Sequence, residues 1–296
     1  MIHQIERHNI GKPGFLSFIE KIPERRKIYV QWLIDSPFDA GGPLGGVEFQ
    51  TKVCLAMDPE VDRLETWEAW VAWMQVAEAT LAVSTQEPGT RFTRMIDHEE
   101  RTLTAVEPDY FTNADNWIDA FCLAVTCRDQ ERYRSLCHIP AETLREAGES
   151  RGTKYNPHIY HLVSALQTFV LNRPGLMDHL AKAMELSAPQ NAELGTTEGL
   201  NKLVFPPLNT LLHLVRRNSD EFNEALAQGL ELFGSYYTAD EERAESLDGG
   251  TPLLLLALAC LAYDTAQVDP NFHFEVESGY LPKHLLERSW YGEFPT

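Results

Sequence analysis

The sequence predicts a mostly α-helical protein: an irregular α-solenoid-like stack of helical hairpins, with one small β-hairpin near residues 90–106. Apolar residues recur at helical spacing over most of the chain. Asp, Ser, Asn and Pro head those runs, where they satisfy or remove the orphan N–H groups of a first helical turn. Four candidate corners also fall in one phase, 45 residues apart: Arg128-Asp129, Arg173-Pro174, Asn218-Ser219 and Tyr263-Asp264. A helix–corner–helix unit recurring at such a period marks a stacked solenoid, and solenoid faces are mostly binding surfaces.

The elements follow in order. A first helix covers about 14–34 through Phe15, Phe18, Ile19, Ile22, Tyr29 and Leu33, with Pro23 bending or splitting it. Residues 35–46, rich in Gly and Pro, read as a loop. A second helix runs from Val47 to Met57 and stops at Asp58-Pro59. Thr66 caps a third, Trp67 to Val83, with Trp67, Trp70, Met74 and Ala77 on one buried face. Phe92 to Ile96 and Thr102 to Val106 then lose the helical period and face each other across Asp97-His98-Glu99-Glu100, a β-hairpin.

From Asn113 the helical pattern returns. Asn116-Trp117 opens one helix, Asp129 and Pro140 the next two, and Asn156-Pro157 the run to Leu171. Pro174 opens 175–186, Pro206-Pro207 the run to Arg217, and Ser219 caps 220–233. Thr238-Ala239-Asp240-Glu241 fits a capping box. Pro252 to Ala266 is the most apolar helix, and a short one lies in 282–289. No linker splits the chain, which reads as a single helical domain over 1–296, with an N-terminal helical part, 1–112, and a repeat-like part, 113–296.

With 44 acidic and 25 basic residues the chain carries a net charge of -19, which repels nucleic acid and anionic membranes and suits a basic partner. Its five cysteines lie in apolar runs without a disulfide or CxxC pattern. No signal peptide is visible, and the longest apolar run, Pro252 to Tyr263, is too short to span a bilayer. The expected location is the reduced cytoplasm.

Chemical motifs are absent: no G-x-S-x-G, P-loop, G-x-G-x-x-G or H-E-x-x-H occurs. His158 and His161, one turn apart with Cys137, Glu142 and Glu146 as conceivable neighbours, form the best metal candidate. They lack a specified third ligand, so an ordinary structural pair is the preferred reading. No catalytic, cofactor or metal residue is assigned. Between Ser219 and Asp248, by contrast, nine acids (Asp220, Glu221, Glu224, Glu231, Asp240, Glu241, Glu242, Glu245, Asp248) face one base, Arg243, with Tyr236 and Tyr237 among them. Carboxylates capture a basic partner quickly and tyrosine is a rigid amphipathic anchor. The partner-binding candidates are therefore Asp220, Glu221, Glu224, Tyr236, Tyr237, Asp240, Glu241, Glu242, Glu245 and Asp248. A solvated helix face is the competing reading.

Several blocks resemble, in order, those of the immunity protein 49 family. They include Trp67-Glu68-Ala69-Trp70-Val71, Asn116-Trp117-Ile118-Asp119-Ala120-Phe121, Cys127-Arg128-Asp129-Gln130-Glu131-Arg132 and the run from His158 to Gln167. Arg173-Pro174-Gly175-Leu176, Phe205-Pro206-Pro207-Leu208-Asn209, Leu258 to Asp264 and Val276 to Pro282 continue the series. The resemblance covers about residue 60 to the end. It implies a mostly α-helical bacterial protein that binds and neutralises a cognate polymorphic toxin by occupying it, without catalysis or cofactor. The acidity points to a basic toxin domain, such as a nuclease. A general α-solenoid protein-interaction adaptor, resting on the 45-residue phase alone, is the alternative, and a metal-dependent enzyme using His158 and His161 is the weakest reading.

Overall fold

The computed structural model describes residues 2–292, and about 62% of the chain is helical. Strand β1 (His3–Ile5) is followed by α1 (Leu16–Ile19), α2 (Ile22–Asp35), α3 (Gly41–Met57) and α4 (Leu64–Val83). The hairpin β2 (Arg91–Ile96) and β3 (Glu99–Thr104) leads to α5 (Ala114–Thr126), α6 (Gln130–Leu136) and α7 (Ala141–Gly148). Then come α8 (His158–Val170), α9 (Leu176–Ser187), α10 (Thr197–Gly199), α11 (Phe205–Val215), α12 (Ser219–Tyr237), α13 (Glu241–Ala244), α14 (Leu253–Val268), β4 (Val276–Ser278) and α15 (Lys283–Leu286). The mostly α class with one β-hairpin is as predicted. The chain forms two compact units, one of residues 11–154 with 290–296, the other of 1–10 with 155–289. The division expected at 112/113 lies inside the first of these units.

In the 11–154 unit, α4 is the axis. It is buried from Trp67 to Val83 except at Glu68, so it is enclosed on all sides rather than along the single predicted stripe. Helices α3 and α5 and strand β2 pack against it. The indole N–H groups find partners inside: Trp70 Nε1 donates to Thr126 Oγ1 at 2.9 Å and Trp117 Nε1 to Leu136 O at 2.9 Å. Thr66 is not the cap. The helix begins two residues earlier, and Asp58, through its two carboxylate oxygens, accepts the N–H groups of Asp62 and Arg63 just ahead of it. The first helix is split at Glu20-Lys21, with Pro23 in the opening turn of α2, as its missing N–H allows.

The predicted loop at 35–46 is wrong in its second half, because Gly41 to Gly46 are the first turns of α3. Helical glycine costs about 1 kcal/mol against alanine, and close packing offsets it here. A Cβ on Gly42 would stand 2.7 Å from the Trp32 ring, and one on Gly46 would strike the Tyr29 ring. The glycines let α2 lay its aromatic rings on the backbone of α3. The hairpin turn is Asp97-His98 alone, both with positive φ (53° and 64°), as a tight two-residue turn between twisted strands requires.

Three of the four predicted corners share one geometry. Arg128, Asn172 and Arg217 adopt left-handed φ of 58°, 50° and 53°. The next N–H reaches back across the turn: Asp129 to Ala124 O at 2.9 Å, Arg173 to Thr168 O at 2.9 Å, Asn218 to His213 O at 3.2 Å. This is the Schellman ending, with non-glycine residues in the position glycine usually takes. The fourth corner does not exist, since Tyr263-Asp264 lies inside α14, which continues to Val268. The neighbouring caps also shift by one to three residues. Asn113 caps α5 and Asn218 caps α12, whereas Ser219 Oγ bonds His273 Nδ1 at 2.9 Å. Asp240 caps α13, and the predicted box at Thr238 is absent because Thr238 Oγ1 donates back to Gly234 O.

In the unit of 1–10 and 155–289, α8 pairs with α9, and α11 packs against α9, α12 and α14. Leu166, Leu180, Leu211, Phe222, Leu226 and Leu256 are at its centre. Helix α10 runs through a π turn, Leu200–Val204, into α11. Pro206 and Pro207 supply no N–H to the preceding carbonyls, which accounts for the wider turn. Strand β1 pairs in parallel with β4, His3 opposite Val276 and Ile5 opposite Ser278, so the first residues of the chain complete this unit.

Candidate functional site

Helix α12 carries the predicted acidic block, and its amphipathicity decides where the charges point. Phe222, Leu226, Gly229, Leu230 and Phe233 are buried, which turns Asp220, Glu221, Glu224 and Glu231 to solvent. Two acids in the first turn, Asp220 and Glu221, where the helix dipole favours anions, and Glu224 in the next face imidazoles instead of Lys or Arg. Asp220 lies 2.9 Å from His273 Nε2, Glu221 2.8 Å from His213 Nδ1, and Glu224 3.8 Å from His3 Nε2. His213, given no role from sequence, is one of these partners. Asn223 fixes the segment opposite by donating to His273 O at 3.1 Å and accepting from Glu275 N at 2.9 Å.

The rest of the block gathers at the other end of the helix. Asp240, Glu241, Glu242, Glu245 and Asp248 are all exposed around the short α13. The one base is already engaged: Arg243 Nη1 stands 3.0 Å from Glu198 and Nε 3.2 Å from Asp240, and its guanidinium lies 4.2 Å over the Tyr236 ring. Hydrogen bonds from Lys202 and Arg243 hold the Glu198 carboxyl below its ordinary value, so that pair stays ionised. Tyr236 and Tyr237 are half-buried and meet edge to face, and Tyr237 packs on Phe233 at 4.8 Å between centroids.

The ten candidate residues therefore form two clusters. Sixteen helical steps from Asp220 to Tyr236 span about 24 Å at 1.5 Å per residue, three times the Debye length of about 8 Å at physiological salt. The clusters act as separate electrostatic centres. The one around α13 combines five exposed carboxylates with an aromatic platform; the one at the head of α12 has carboxylates matched to histidines.

A second feature, in the 11–154 unit, was not read from sequence. Glu78 of α4 is buried, and Arg94 Nε contacts its two oxygens at 3.0 and 3.1 Å while Arg132 Nη1 contacts Oε2 at 3.0 Å. Arg132 also reaches Asp129 at 2.9 Å and Met95 O at 2.9 Å. Two clefts border this cluster and share Glu78, Arg94 and Ser135: one of about 530 Å³ with Ser84, Gln86 and His138 in its wall, the other of about 370 Å³ with Glu100 and Glu131. Both oxygens of Glu78 are committed to guanidinium groups, which makes it a structural anchor under the hairpin. Helical periodicity hides such a residue, because an acid at an inward position looks like a break in the pattern.

His158 is buried, its Nδ1 has no hydrogen-bond partner among the described residues, and burial lowers its pKa from the ordinary 6.5. His161 faces His179 at 5.8 Å between ring centroids. Among the described residues no group of three His, Cys, Asp or Glu is placed to hold a metal ion. The cysteines are all buried, and burial, ahead of the nearby Asp58 carboxylate, pushes the Cys54 thiol up to about 12.

Against known proteins, the sequence model of the immunity protein 49 family matches residues 58–285. No curated protein and no solved structure matches the chain.

Proposed function

The chain belongs to the immunity protein 49 family, and from that membership we propose that it binds a cognate bacterial toxin in the cytoplasm and neutralises it by occupancy, without catalysis. The observation that carries the reading is the α13 cluster: Asp240, Glu241, Glu242, Glu245 and Asp248 exposed around Tyr236, with Arg243 held by Glu198 and Asp240. Carboxylates spaced along a corner stand where the phosphates of a nucleic acid would meet a basic protein. The toxin domain this fits is a basic one, of which a nuclease is the leading example. Long-range attraction brings the partner in, and the half-buried tyrosines give it a rigid surface to close on.

The test is co-expression. The product of a toxin-like gene encoded beside this one should arrest a host cell when expressed alone and spare it when this protein is present. Survival unchanged by the protein, with every neighbouring candidate, contradicts the proposal. With a protective pair in hand, replacing Glu241, Glu242 and Glu245 by Lys should weaken protection, whereas the same change at Asp220, Glu221 and Glu224 should affect it less.

A further inference from the structure

We infer that the outer face of α2 is a self-pairing surface through which two copies of this chain associate antiparallel about a two-fold axis at Ile28. The face is apolar at its middle and exposed: Ile28 is 64% and Trp32 38% accessible, with Phe38 at 66% just beyond the helix. Lys21, Glu24, Arg25, Ile28, Trp32 and Asp35 fall on one side at helical spacing, and all are exposed. Tyr29 and Trp32 also lie against the glycines of α3, so the rings are fixed in place before any partner arrives.

Charge identifies the occupant. Residues 1–57 hold seven basic and six acidic residues, against eighteen and thirty-eight in 58–296. A basic partner is drawn to the second region. An equally acidic molecule, such as a second copy, meets least repulsion at the first. The face is also self-complementary in the sense a two-fold interface requires. Its N-terminal end carries two bases, Lys21 and Arg25, against one acid, Glu24, and its C-terminal end carries Asp35. Pairing two helices antiparallel about Ile28 sets Lys21 of each copy opposite Asp35 of the other, and Arg25, whose guanidinium lies 4.7 Å over the Phe18 ring of its own chain, beside Gln31. The 14-residue helix, about 21 Å long, brings both ends into register. The face precedes the family-matched residues 58–285, so this inference does not depend on the toxin reading.

Sedimentation velocity of the full chain over a concentration series tests it. The expected species has twice the 33.6 kDa chain mass; the single-chain mass at every concentration overturns the inference. Ile28→Glu should give the single-chain mass with unchanged helicity and melting temperature, and a persistent dimer there overturns this interface. Lys21→Glu and Asp35→Lys should each weaken association by about tenfold or more, and the double reversal should recover most of it. Failure of the double reversal to recover overturns the antiparallel register. A monomeric wild type whose Ile28→Glu variant loses toxin binding gives the face to the toxin and overturns self-pairing.

Discussion

The Glu78 carboxylate and the Arg132 guanidinium meet 3.0 Å apart in the interior beneath the β-hairpin, with Arg94 closing on the same carboxylate from a more open side. Glu78 and Arg132 are almost inaccessible, while the side chain of Arg94 keeps 30% of its surface in solvent. Removing one member of a buried pair leaves the other uncompensated and costs about 3–5 kcal/mol, whereas exposed pairs are worth about 0–1 kcal/mol. Urea unfolding should therefore show Glu78→Ala losing about 3 kcal/mol or more and Arg94→Ala about 1 kcal/mol. Equal losses would mean that the buried pair is not the anchor.

Two adjacent glycines in α3 should respond in opposite directions. A Cβ on Gly45 meets nothing within 4 Å, while one on Gly46 runs into the Tyr29 ring. Gly45→Ala should raise stability by about 0.5–1 kcal/mol through helix propensity. Gly46→Ala should lower it by about 1–3 kcal/mol through overpacking. Thermal melts of the two variants check the packing of α2 on α3, and a stabilised Gly46→Ala would refute it.

Arg217 ends α11 in the left-handed region at φ 53° and forms an exposed ion pair with Asp269 at 2.9 Å. Glycine removes the strain but frees the unfolded chain and gives up the pair, so Arg217→Gly should lie within about 1 kcal/mol of wild type. Arg217→Val, branched at Cβ where φ is positive, should cost about 1–2 kcal/mol. Chemical denaturation giving valine no worse than glycine would exclude the left-handed corner.

Burial lowers the pKa of His158 below 6.5, and His8 shifts the same way through burial and then Arg7. As pH falls through 6.5 the unfolded chain takes up these protons before the folded one, so the stability they contribute is full above 6.5 and declines below it. His158→Gln should flatten the fall of melting temperature with acidity. Parallel pH curves for wild type and variant would contradict that assignment.

Much of the fold was legible because its causes are local. The corner at Asp129 was found because its capping carboxylate is a sequence signal, and that at Asn218-Ser219 because an apolar run ends there. The hairpin was found because Phe92 to Val106 loses helical spacing around one polar turn. What was missed has non-local causes. Gly41 to Gly46 read as a loop because only rings brought in by tertiary folding, Tyr110 against Gly41, Trp32 against Gly42 and Tyr29 against Gly46, justify helical glycine. The pairing of β1 with β4 joins three-residue strands at opposite ends of the chain. Tyr263-Asp264 shared the phase of real corners without a left-handed residue to make one. At the candidate site, the acids were visible as a run of charge, but their division into two clusters depends on the rigid length of α12. Of the histidines opposite Asp220, Glu221 and Glu224, His213 lies on the preceding helix, but His3 and His273 come from distant stretches.

The association rate with the proposed toxin partner tests the central claim most directly. Stopped-flow mixing at low and at physiological salt should compare the wild type with the Glu241→Lys, Glu242→Lys, Glu245→Lys variant. The account predicts a variant about tenfold or more slower at low salt, the gap narrowing as salt screens the charges. Equal rates at both salt concentrations would contradict it and reduce the α13 cluster to a solvated surface.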